Sequence, residues 1–269
     1  MTQTKDSTDS IDYGVCRLAI VTVRKEADQK GEPVTQLLFG DHYEVTEFSK
    51  DQKWLSIIVN ADNSKGWIDR LQHHSISKEY HEQIGLANFK ITTDIASTML
   101  YKKSQLTIVM GSIVPISASE LFKMEEQFAF NGETKSLGQR RDFEFLKHIA
   151  CKYLNAPHFP GGKSPFGIDA PGFAQMSFRL AGYELPRGIQ QQWAFGKPVE
   201  NIGAAQPGDL AFFKSKDDKI SHVGILLNDQ KIIHCSGRVR IDFLMKEGIL
   251  VAETKVYSHT LAGFRRILS

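Results

Sequence analysis

The chain has 269 residues, 41% of them hydrophobic and 24% charged, a balance that excludes collagen-like and low-complexity classes and leaves room for two or three folded domains. Its 33 Lys and Arg against 31 Asp and Glu give a formal charge of +2 with no basic block, so nucleic acid is not expected as a partner. No stretch approaches the ~20 apolar residues of a membrane span, and three cysteines, Cys16, Cys151 and Cys235, are too few and too scattered for a disulfide framework.

Residues 1–11 are polar and lack an apolar signal core, which predicts a flexible tail and a cytoplasmic location. From 12 to 75, short apolar runs at 16–21, 35–40, 42–45, 54–59 and 66–68 alternate with turns, the pattern of a small all-β barrel or sandwich. The order Val23-Arg24, Leu37-Leu38-Phe39-Gly40-Asp41, Trp54-Leu55 and Gly66-Trp67-Ile68-Asp69 resembles a bacterial SH3-like domain. Residues 75–81 read as a short helical or irregular linker. The stretch from 76 to 137 holds further apolar runs at 98–101, 106–111 and 113–116, with Glu126, Phe128 and Phe130 alternating, and reads as a second SH3-like or β-rich domain.

The third domain is expected to span 138–269. Apolar residues at 143, 145, 146, 149, 150 and 153 predict an amphipathic helix within 140–154. A second helix follows the turn at 167–172 and is apolar on nearly every side, hence buried. From Asp209 the pattern is β: 210–213, 222–227, 231–234, 239–241 and a last strand near 262–267. A helical segment followed by an antiparallel sheet is an α+β arrangement. Asn228-Asp229-Gln230 can close a three-residue hairpin that sets His234 opposite Gly224 and diagonal to His222, with both imidazoles on one face.

Six short motifs occur in order: His158-Phe159-Pro160-Gly161-Gly162, Asp169-Ala170-Pro171-Gly172-Phe173, Leu185-Pro186-Arg187, Pro207-Gly208-Asp209-Leu210, His222-Val223-Gly224-Ile225 and His234. The order resembles the NlpC/P60 family of cysteine peptidases, whose members usually show Tyr-x-Trp-Gly-Gly, Asp-Cys-Ser-Gly-Phe, Leu-Pro-Arg, Pro-Gly-Asp-Leu, His-Val-Gly-Ile and a second histidine. The resemblance implies a papain-like domain preceded by one or two SH3-like barrels. The SH3-bearing members it points to cut γ-D-glutamyl-L-diamino acid bonds in cell-wall peptides.

By the same resemblance the nucleophile position is Ala170, whose methyl group cannot form an acyl-enzyme. His222 and His234 match the base and the residue that orients it. Asp169, His158, Arg187 and, from the first domain, Glu32 fall at positions near the substrate. Pro171 stands where the family has serine and removes a backbone N–H from the turn. Gly188-Ile189 replaces the acidic residue and serine that follow Leu-Pro-Arg, and Ser64 stands where an aromatic is common. Cys235 points away from the face of His234 by strand alternation and is not expected to replace the lost thiol.

These features imply a catalytically inactive protein that binds a peptide, a murein peptide or a protein partner in the former cleft, with no cofactor. Two alternatives stay open: an active hydrolase using a non-cysteine mechanism, such as a metal held by His158, His222, His234 and Asp169, or a structural protein with a filled cleft.

Overall fold

The computed structural model describes residues 12–84, 89–114, 128–228 and 230–268. The expected tail at 1–11, the 115–116 end of one apolar run, Glu126 and Asp229 lie outside them.

The N-terminal unit consists of β1 (Asp12–Val15), β2 (Ile20–Arg24), β3 (Pro33–Leu38), β4 (His42–Phe48), β5 (Trp54–Val59), β6 (Lys65–Asp69) and β7 (Ser75–Ile76). They pair antiparallel in the order β3-β2-β6-β5-β4-β1-β7. Two-residue periodicity decides which side chains enter: Val21 and Val23 of β2, Ile57 and Val59 of β5 and Ile68 of β6 point into one cluster with Cys16, Leu37, Tyr43 and Val45. Gly40 turns the chain between β3 and β4 at φ +84°, where a Cβ would lie 2.1 Å from the carbonyl oxygen of Ile113, so only glycine fits.

The middle unit starts with α1 (Lys78–Gln83), whose Ser77 side chain accepts the amide of Tyr80 at 3.2 Å. Then come β8 (Lys90–Thr92), β9 (Ala96–Tyr101), β10 (Ser104–Val109), β11 (Ile113–Val114), β12 (Phe128–Asn131) and β13 (Thr134–Ser136). They form two separate three-stranded sheets, β10-β9-β12 and β11-β8-β13. Phe39 of the first unit is fully buried against Met99, Ile108, Val114 and Phe128 of this one. Leu38, Ile91, Val109 and Met110 pack in turn into the core of the C-terminal unit. The three pieces therefore share apolar contacts that position the first unit against the site.

The C-terminal unit opens with α2 (Phe143–Lys152), shorter than the expected window because Asp142 caps it by accepting the amide of Phe145 at 3.0 Å. A small hairpin of β14 (Lys163–Ser164) and β15 (Gly167–Ile168) leads into α3 (Ala170–Leu180). Then follow α4 (Ile189–Ala194), β16 (Lys197–Val199), β17 (Leu210–Lys214), β18 (Ile220–Asn228), β19 (Lys231–Ser236), β20 (Arg238–Leu244), β21 (Gly248–Leu250) and β22 (Tyr257–Arg266). The sheet runs β16-β22-β17-β18-β19-β20-β21, and β21 also pairs with β22, so β17 to β22 close into a six-stranded barrel. Its interior is filled by Ala211, Phe213, Leu226, Ile232, Leu244, Ile249 and Phe264. The opposite face, through Val223, Ile225, Ile233 and Cys235, packs with Phe173, Ala174 and Met176 of α3. As expected, α3 is nearly all buried.

Two boundaries differ from the sequence pattern. The last strand begins at Tyr257, five residues before the expected start, because its outer half pairs with β21 to close the barrel. In the hairpin, Asn228 pairs with Lys231, and a bulge between Leu226 and Asn228 restores the expected Gly224–His234 register.

A buried ionic cluster joins the first unit to α3 and β14. Asp41, 1% exposed, meets Nη2 of Arg179 at 2.6 Å and Nζ of Lys163 at 3.7 Å, and accepts the Leu38 amide. Burial pushes the Asp41 carboxyl up, but Arg179 and Lys163 outweigh that and hold it below the usual carboxylate range. The amide of Lys163 donates to Oε1 of Gln36, and Gln175 of α3 donates to Asp62 at 2.8 Å.

Candidate active site

Asp169 organises the start of α3. Its extended backbone makes it the N-cap, and Oδ1 accepts the Gly172 amide at 2.7 Å. Oδ2 accepts the Gly161 amide at 2.8 Å and a guanidinium N–H of Arg187 at 2.7 Å. Two of the three charged residues given by the resemblance as near the substrate, Asp169 and Arg187, are thus bound to each other, tying the glycine bend, the helix start and the Leu-Pro-Arg segment together. Gln192 adds a second tie by donating to the carbonyls of Pro171 and Pro186, each at 2.8 Å.

Gly161 has φ +75°, and a Cβ there would sit 2.9 Å from Pro33, so glycine allows β3 of the first unit to reach this bend. Glu32, next to Pro33, keeps its side chain 70% exposed with Lys25 Nζ at 3.8 Å. His158 is exposed, donates its amide to Gly237 and bridges Ile168.

Ala170 is the first residue of α3 and is 5% exposed. A helix N-terminus favours negative charge, but a methyl group carries neither charge nor lone pair. Pro171 follows in the first turn, where its fixed φ suits the helix and its missing N–H leaves one fewer donor.

The barrel contributes a hydrogen-bonded chain. His222 on β18 and His234 on β19 meet with Nε2 to Nδ1 at 2.8 Å, and Nε2 of His234 reaches Oδ2 of Asp242 on β20 at 3.0 Å. Asp242 also takes the Ala252 amide at 2.8 Å and Nη2 of Arg240 at 3.0 Å. Burial pushes its carboxyl up, but the hydrogen bonds from His234, Ala252 and Arg240 dominate and hold it well below the usual range. An ionised Asp242 only accepts, so the tautomer that satisfies every contact has His234 donating from Nε2 and accepting at Nδ1 from the Nε2–H of His222. Nδ1 of His222 is left as a lone-pair base. Burial, followed by His234, His259 and His158, holds His222 well below the ordinary imidazole value, so it is neutral.

His259 on β22 was not singled out by the sequence. Its ring stacks on His222 at 4.1 Å between centroids with 26° between planes, and Phe213 lies beside both. Burial, then His234, pushes His259 down to about 4. Its only sequence signal was parity within a strand whose start was placed too late. Cys235 faces the other way, as alternation predicts: its thiol donates to the carbonyl of Ile168 at 3.1 Å, and burial followed by Asp169 pushes it up to about 12. Cys151 on α2 is likewise raised by burial. Among the described residues no group of three His, Cys, Asp or Glu side chains is arranged to hold a metal ion, and both Asp169 oxygens are already engaged.

Residues 156–261 match the profile of the NlpC/P60 family. The chain is 28% identical over 257 residues to the gamma-D-glutamyl-L-lysine dipeptidyl-peptidase of Bacillus subtilis (strain 168), covering 87% of this chain and 81% of that protein. It is 23% identical over 232 residues to dipeptidyl-peptidase 6 of Lysinibacillus sphaericus, covering 78% and 83%. The crystal structure of an NlpC/P60 family protein from Bacillus cereus ATCC 10987 superposes with a TM-score of 0.80 at 18% identity, over 96% of this chain and all of that one. The likeness to that structure extends over nearly the whole chain and shows a shared fold. More particularly, the part of the chain that matches the NlpC/P60 family lies in its C-terminal unit, and the two relatives it is similar to over most of its length carry dipeptidyl-peptidase names.

Proposed function

We propose that this is a non-catalytic NlpC/P60 protein that binds a peptide, a cell-wall peptide or a protein partner in the former active-site cleft, with the N-terminal strands, and in more diverged form the middle ones, acting as SH3-like units beside it. The observation that carries this reading is Ala170 at the first position of α3, where an acyl-transfer enzyme of this family needs a thiol. The retained His222–His234–Asp242 chain and the Asp169–Arg187 tie support a scaffold kept for recognition. The names of the relatives suggest γ-glutamyl-linked peptides as the first ligands to try.

The same histidine chain favours a second reading, in which Nδ1 of His222 activates water directly. One experiment separates the two. The purified protein is incubated with L-Ala-γ-D-Glu-diaminopimelate, free diaminopimelate is followed by chromatography, and binding is followed by calorimetry. Saturable heat without release above buffer supports the binding protein. Release that disappears in His222→Ala overturns it in favour of the hydrolase. Neither heat nor release leaves the cleft without this peptide and overturns the cell-wall assignment.

A further inference from the structure

Asn131 and Gly132 form the only Asn-Gly pair in the chain. They sit where β12 ends, on an edge strand that among the described residues pairs with β9 alone. Alternation turns Phe128 inward and leaves Asn131 exposed to solvent. The two-residue turn at Lys102-Lys103 makes Tyr101 and Ser104 a bonded pair, and the ladder then alternates so that Asn131 exchanges its backbone bonds with Thr98. The N–H of Gly132 therefore turns away from β9, and no acceptor for it is present among the described residues.

Packing favours glycine at this point. A Cβ on residue 132 would lie 2.6 Å from Oγ of Ser97 and 2.7 Å from Cζ of Phe130. The following residue is tied on both sides: the Glu133 amide donates to Oδ2 of Asp94 at 2.7 Å, and its carbonyl accepts the Thr93 amide at 3.1 Å. Upstream, Phe128 stacks on Tyr101 at 5.3 Å between centroids and packs with Phe39 of the first unit. The spacing of main-chain atoms from Phe128 to Glu133 thus holds the middle unit against the N-terminal one.

We propose that Asn131-Gly132 is a self-modification site, at which the side-chain amide is lost to water and the attachment of the middle unit is loosened. The Gly132 nitrogen gives its proton to hydroxide and attacks the carboxamide carbon of Asn131. The new C–N bond closes a five-membered succinimide, and the side-chain nitrogen leaves as ammonia. Water then opens the ring at either carbonyl, giving aspartate, or isoaspartate in which the main chain runs through the side-chain carbon. Nothing is oxidised or reduced, and water is the only co-reactant. Every other asparagine precedes a residue with a side chain, which crowds the closing ring. The attack needs the end of β12 to lift from β9, a local opening that an edge strand's last pair allows at low cost. Isoaspartate adds an atom to the main chain, so Phe130 and Glu133 no longer reach their partners together, and either product sets a carboxylate beside Asp94 and Glu133.

The test stores the full chain in mildly alkaline buffer and follows residue 131 by peptide mapping and mass spectrometry. An isoaspartyl-specific methyltransferase with a labelled methyl donor reports the isomer. The expected result is loss of the amide at Asn131 while Asn60, Asn63, Asn155, Asn201 and Asn228 keep theirs. Methyl incorporation should be lost in Asn131→Gln, whose longer side chain closes a less favourable ring; the position is exposed, so this variant is expected to fold. The converted fraction, richer by one negative charge, is separated by ion exchange and should melt at a lower temperature than the parent. Survival of the Asn131 amide, earlier conversion at another asparagine, undiminished methyl incorporation in Asn131→Gln, or a parent-like melting point of the converted fraction overturns the proposal.

Discussion

Replacing Asp41 with asparagine removes one charge from the point where the N-terminal sheet meets α3. The side chain is 1% exposed, and its two oxygens serve Arg179 at 2.6 Å, the Leu38 amide at 2.9 Å and Lys163 at 3.7 Å. Removing one partner of a buried ion pair strands the other charge, a loss of about 3–5 kcal/mol. Here two cations are stranded, but Lys163 has an outlet. Burial already pulls its ammonium below the ordinary lysine value and Asp41 opposes that pull, so without Asp41 it gives up its proton more easily. The lower part of the range is therefore expected, near 3 kcal/mol, which corresponds to a melting-point drop of roughly 6–12 °C for a unit of this size. Urea titration and scanning calorimetry measure it. Adding Lys163→Met to the variant should restore at least about 1 kcal/mol by removing the stranded ammonium. A loss below about 1 kcal/mol, the scale of an exposed pair, or no recovery in the double variant, refutes the reasoning.

Ala170→Cys alone should hydrolyse the wall tripeptide on the order of 10²–10³-fold more slowly than Ala170→Cys with Pro171→Ser, since the proline withholds a donor from the turn. Equal rates by chromatography show that Pro171 is no obstacle. His222, His259 and His42 are all held below the ordinary imidazole value, each chiefly by burial, and the last two lie at about 4. Their folded forms bind fewer protons than the unfolded chain, so the stability they contribute is complete above pH 6.5 and is lost as pH falls from there towards about 4. His259→Phe keeps a ring against His222 and removes one titrating group, so the decline of the melting point between pH 6.5 and 4.5 should flatten, and an unchanged slope refutes the assignment.

The paired histidines are legible because two local rules suffice to place them: strand alternation sets the face, and a short turn sets the register, so Gly224 opposite His234 follows from the sequence. The turn into α3 was legible for the same reason, since capping is local. His259 was not, because its position depends on β22 meeting both β17 and β21, a closure between segments far apart in sequence. Asp242 was missed because an aspartate in a strand reads as surface until an imidazole and an arginine are seen to satisfy it. Lys163 misleads in the same way: lysine is rarely buried, and only the meeting of two units supplies Asp41. Asp169 and Arg187 were placed at the right turn, but no sequence rule shows that they bind each other.

One strand decides when the C-terminal unit can finish folding. β22 is the element that stitches β16, β17 and β21 into one wall, and of these four strands it is the last to leave the ribosome. Until residue 266 is free, β17 and β21 each present an open edge, so nascent chains are exposed to mispairing and to chaperone capture at this stage. The N-terminal sheet, whose strands all lie within the first 76 residues, can by then already be in place and offer Pro33 and Asp41 as a template for the α3 turn.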